Sequence, residues 1–133
     1  MKITNLILLP LLLFTNLTNA QLLGGWTDVK DTSSSDFQRV VKFTAAEITI
    51  KTDSSHSLRS MEITKAQKKL VAGIHYRFNL KLGETECKAS EKKVDIENCK
   101  FLDNGKIQSC TVRVLDRPWL DRIKLEDYKC TDI

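Results

Sequence analysis

Apolar and polar positions follow two different periods along this chain, and each period marks an element. Ile74, Tyr76, Phe78, Leu80 and Leu82 alternate with His75, Arg77, Asn79 and Lys81, as in a strand with one buried face. Upstream, Phe37, Val40, Val41, Thr44, Ala45 and Ile48 recur at helical spacing, with Asp36, Arg39 and Lys42 on the other side. This predicts a helix from about Asp36 to about Thr49, capped by Ser35, with Gln38 placed as in a capping box. A polar loop from Lys51 to Ser57 leads to a strand near Leu58 to Lys68, with Met61 and Ile63 on one face. A short strand near Trp26 to Lys30 precedes the helix.

The strand parities set hairpin registers. If Ile63 faces Leu80, then Met61 faces Leu82 and the turn centres between Val71 and Ala72. Cys110, Val112 and Val114 open a second hairpin, interrupted by Asp116 to Leu120 and resumed by Ile123 and Leu125. A turn near Leu120 sets Cys110 opposite Cys130. The connector from Gly83 to Gly105 reads as irregular and charged. In an antiparallel meander successive turns alternate between the sheet's ends, so these two tips share one end. The first strand would start there too, preceded by Gln21-Leu22-Leu23-Gly24-Gly25. Leu22-Leu23, Leu70-Val71 and Trp119 thus converge on one edge. Aliphatic residues where turns are normally polar, gathered at one edge, mark a binding surface.

The N-terminus changes the picture of where the protein works. Lys2 precedes an apolar run from Ile3 to Phe14, then Thr18-Asn19-Ala20. That is the pattern of a cleaved secretory signal over residues 1–20, too short to span a bilayer, and no later segment could cross one. Residues 21–133 are then a single secreted, extracellular domain. The only glycosylation sequon, Asn16-Leu17-Thr18, falls in the signal, so the mature chain carries no expected glycan.

Four cysteines, Cys87, Cys99, Cys110 and Cys130, point in a secreted chain to two disulfides rather than a zinc site, which would want close pairs such as C-x-x-C. The second hairpin's register favours Cys110 with Cys130, leaving Cys87 for Cys99. The formal charge is +4, mild and intermixed, with no basic run interleaved with aromatics, so nucleic acid is not an expected partner. Disulfide-bound cysteines leave no thiolate nucleophile. His56 and His75 have no evident catalytic partners, and no metal or cofactor is implied.

In this order the segments resemble the secreted type 2 cystatins, inhibitors of papain-like cysteine proteases. That family shows a Leu-Val-Gly-Gly-like leader, a helix, a Gln-x-Val-x-Gly hairpin, four cysteines bridged in chain order and a Pro-Trp hairpin. Here these look like Leu22-Leu23-Gly24-Gly25, the Asp36–Thr49 helix, Lys69-Leu70-Val71-Ala72-Gly73, Cys87 to Cys130 and Pro118-Trp119. The resemblance implies an α+β cystatin fold, an antiparallel meander wrapped around one helix. It also implies a reversible wedge that fills a cathepsin-like active-site cleft without being cut. Leu23 would enter an aliphatic-selective pocket, Gly24 would let the leader bend aside, Leu70 to Gly73 would cover the catalytic cysteine, and Pro118-Trp119 would pack on the primed side. A monomer is expected, with exchange of the first strand and helix through Leu70-Val71 as the route to a dimer.

Lys69 departs from the family, which has Gln there. Lysine keeps an aliphatic stem but replaces a neutral amide by an ammonium without an acceptor. Retained, selective inhibition is the expectation. Asp53 stands where some cystatins carry the Asn that engages legumain, so that second activity is not expected. The rival reading is a cystatin-fold protein without inhibitory activity that binds a receptor or a membrane surface.

Overall fold

The computed structural model describes residues 25–91 and 94–133, so the signal segment and Leu22, Leu23 and Gly24 lie outside the described residues. Strands β1 (Thr27–Asp28), β2 (His56–Leu70), β3 (Ile74–Lys88), β4 (Ile107–Arg117) and β5 (Arg122–Asp132) form one antiparallel meander in chain order. Among the described residues one long helix, α1 (Ser35–Lys51), lies across it.

The helix buries Phe37, Val40, Val41, Thr44, Ala45, Ile48 and Thr49, the stripe its spacing dictates. Across from them the inner faces of the strands supply Leu58, Tyr76, Phe78, Leu80, Leu82, Cys110, Val112, Val114 and Leu125. Phe37 meets Phe78 edge-on at 5.3 Å between centroids and Tyr76 at 5.6 Å, a favoured aromatic arrangement. The buried hydroxyls are satisfied. Thr44 donates to the Val40 carbonyl at 2.8 Å and Thr49 to that of Ala45 at 2.7 Å, while Thr49 Oγ1 accepts from the Leu58 amide at 3.1 Å.

Disulfides join Cys87 to Cys99 and Cys110 to Cys130, the latter directly across β4 and β5. The first ties β3 to the connector, which is more ordered than its sequence suggests. β3 itself runs on to Lys88, and a short 3₁₀ turn covers Ile96–Asn98.

Four local expectations are corrected. The helix cap is Ser34 rather than Ser35: Ser34 Oγ accepts from the Phe37 amide at 3.3 Å. Gln38 does not close a capping box; its amide donates to the Thr32 carbonyl at 2.6 Å, because the entering turn brings that oxygen within reach. Leu82 faces Ser60, not Met61, although Ile63 does face Leu80. Met61 is the extra residue of one β-bulge, and Lys65-Ala66 form another, with Lys65 at φ 53°. The Met61 bulge gives Leu82 its different partner, and the Lys65-Ala66 bulge, which lies between the Ile63–Leu80 pair and the turn, moves the turn centre from between Val71 and Ala72 onto Ala72. Lastly, β2 starts at His56, inside the expected loop.

Removing the aromatic centre should be costly. Phe37→Ala is expected to lower stability by roughly 3–5 kcal/mol in chemical denaturation, the usual range for a buried Phe. A loss below about 1 kcal/mol would contradict this packing.

Candidate functional site

The last pair of the β2–β3 ladder is Leu70 with Ile74, which leaves Val71, Ala72 and Gly73 as the tip. The Val71 amide donates to the Gly73 carbonyl at 3.0 Å, and Ala72 and Gly73 take φ of 52° and 141°. Only glycine adopts the second value without strain. From the base of the tip, His75 Nε2 lies 3.0 Å from the Val71 carbonyl oxygen. The closed turn points its aliphatics outward: Leu70 is 70% and Val71 50% exposed.

The β4–β5 tip is built differently. Pro118 opens a 3₁₀ turn through Leu120, a position where its missing amide costs nothing, and Asp121 follows at φ 49°. The Asp121 amide donates to the Pro118 carbonyl at 3.1 Å. Trp119 is 65% and Leu120 51% exposed, so neither folds back onto the sheet.

The two tips are joined. Ile74 pairs with Asp116, and Arg117 Nε donates to the Ala72 carbonyl at 2.9 Å. A Cβ placed on Gly73 would sit 2.8 Å from Leu115 Cδ1 and 3.1 Å from Arg117 Cγ, so the glycine also permits the close approach. Asp116, 1% exposed, is ion-paired to Arg39 on α1 and fixes the start of the second tip to the helix. Burial raises the phenol of the neighbouring Tyr76 above its ordinary value of 10.0, the carboxylates of Asp116 and Asp36 push the same way, and Arg39 opposes them.

Trp26, one residue after Gly25, lies at this same end, since β1 pairs Thr27 with Lys68. The Lys69 ammonium is 4.7 Å and the Arg77 guanidinium carbon 4.1 Å from its ring centroid. Of the residues singled out from sequence, Lys69, Leu70, Val71, Ala72, Gly73, Pro118 and Trp119 therefore gather at one end of the sheet. Arg117, Asp116, Arg77 and Trp26 were not singled out. Their roles arise from pairings across strands, and only Asp116 had a local signal, as the even-numbered successor of Val112 and Val114. Among the described residues no group of three or more metal-ligating side chains is placed to hold an ion.

A model of the cystatin domain matches residues 24–119. The chain belongs to the cystatin family. It is 33% identical to the cystatin of Gallus gallus over 114 residues, covering 84% of this chain and 80% of that one. With cystatin-2 of Crotalus adamanteus it shares 35% over 96 residues, 70% and 69% of the two chains. By shape it is similar to the crystal structure of dimeric human cystatin F, with a TM-score of 0.75 at 20% identity, over 83% of this chain and 88% of that one. The salivary cystatin of the soft tick Ornithodoros moubata gives 0.68 at 21%, over 81% and 97%. The two disulfides are consistent with the type 2 branch. Cystatins are cysteine-protease inhibitors, and this cystatin is accordingly not an enzyme.

Two outcomes test the edge's construction. Gly73→Ala is expected to destabilise this cystatin by about 1–3 kcal/mol, from its positive φ and the crowding beyond it; an unchanged denaturation midpoint would contradict the tight junction. Because the folded state keeps the Tyr76 proton to higher pH than the unfolded chain does, the group's contribution is complete below about pH 10 and is lost as pH rises through the folded value. Tyr76→Phe should remove that alkaline loss, visible as a flatter midpoint as pH rises above about 10.

Proposed function

We propose that residues 21–133, released from a signal over residues 1–20, form a secreted monomeric inhibitor of papain-like, cathepsin-like cysteine proteases. It acts as a reversible, non-covalent wedge. Leu22, Leu23 and Gly24 occupy the non-primed subsites, Leu70 to Gly73 cover the catalytic cysteine without presenting a cleavable extended strand, and Pro118-Trp119 pack on the primed side.

The observation that carries this reading is the apolar edge itself. Leu70, Val71, Trp119 and Leu120 are all at least half exposed, on two tips joined through Arg117 and Gly73. Exposed aliphatics and a tryptophan on braced turns lose little conformational freedom when a partner buries them, and large aromatic anchors contribute disproportionately to affinity. The tip backbone supports resistance to cleavage: Ala72 and Gly73 lie at positive φ, away from the extended form a protease cleft requires.

Titration of papain should give a tight, stoichiometric end point. Val71→Asp and Trp119→Ala are each expected to raise the inhibition constant by at least about tenfold, with thermal midpoints within about 2 °C of the parent. Absence of inhibition at micromolar protein would reject the inhibitor reading and favour a binding role toward a receptor or membrane surface.

A further inference from the structure

β1 is paired over only two residues, Thr27 with Lys68 and Asp28 with Gln67, supplemented by the Val29 amide donating to the Ala66 carbonyl at 2.9 Å. So short a ladder holds the chain weakly, yet this is where the segment from Gln21 to Gly25 is rooted. Side chains supply the missing hold. The Lys69 ammonium and the Arg77 guanidinium both lie over the Trp26 ring, whose negative π face accommodates two cations that would otherwise repel. Arg77 Nε also donates to Gln67 Oε1 at 2.8 Å, and Gln67 Nε2 to Asp28 Oδ1 at 3.2 Å. The root is thus gripped at Trp26 and again at Asp28, both times by the hairpin that ends in Leu70-Val71.

The same contacts define what Lys69 does. It pairs across the ladder with His75, on the sheet face away from the helix, and its charged end is engaged by Trp26. An amide in its place would have a weaker attraction for the ring. We infer that Trp26 is a positioning residue that fixes where the leader departs beside the first tip, and that Lys69 acts on inhibition through Trp26 rather than by touching the protease. This rests on the inhibitor reading for what the leader does.

The test compares a chain beginning at Gln21 with one beginning at Gly25, using papain as the probe. Trp26→Ala should raise the inhibition constant about tenfold in the longer chain and less than about twofold in the shorter one. Trp26→Phe should restore most of the loss. Lys69→Gln should weaken the longer parent but add nothing once Trp26 is Ala, the mark of coupled residues. Equal losses at both lengths, or no loss at either, would overturn the inference, because Trp26 would then support the fold or do nothing. Should neither parent inhibit papain, the inhibitor reading fails separately. The grip is then judged by amide exchange at Val29, expected to quicken about tenfold in Trp26→Ala; an unchanged rate overturns it.

Discussion

The inner face of the sheet closes on α1 through Phe37, and the placement of the tip edge follows from that contact. Phe37 packs on Tyr76 and Phe78 at the tip half of β3, one turn before Val40 and Val41 continue the same stripe. Because the helix is anchored there, Arg39, two residues further along the same turn, reaches Asp116, and Asp116 sets the start of the Pro118 turn. The hydrophobic contact is non-directional and supplies the stabilisation. The ion pair adds direction, in a place where a solitary buried carboxylate would be costly.

From this base the edge is built by short-range steric and hydrogen-bonding constraints. Gly73 allows β4 to approach the first tip, Arg117 closes the gap with a hydrogen bond to Ala72, and His75 meets the Val71 carbonyl from below. These contacts use backbone and polar atoms, leaving the apolar side chains of Leu70, Val71, Trp119 and Leu120 facing outward. Rigidity beneath and exposed apolar surface above is the division that an inhibitor of a preformed cleft requires. It also explains how a cystatin with Lys69 keeps its tip geometry: among the described residues no hydrogen bond of the tip uses the Lys69 side chain.

Much of this was legible in the chain. The alternation from Ile74 to Leu82 identified the inner face of β3, the Phe37 to Ile48 spacing identified the helix, and turn parity brought the two tips together. What was not legible has physical causes. Three consecutive serines offer equivalent caps, and the choice of Ser34 depends on how the chain enters from Asp31. Met61 looks inward by parity, but a bulge changes the parity without a local mark such as glycine. Trp26 with Lys69 and Arg77 joins residues far apart in sequence, which no local period can show.

The central claim is that a braced edge, already formed in the free protein, is what a cysteine protease buries. The most direct measurement is the amide-exchange footprint left by papain whose catalytic cysteine has been reversibly blocked. The account predicts protection concentrated at Leu70 to Gly73, at Arg117 to Leu120 and at the leader root near Trp26, with little change elsewhere. Protection confined to the helix or to the Cys87–Cys99 connector, with both tips unaffected, would contradict it.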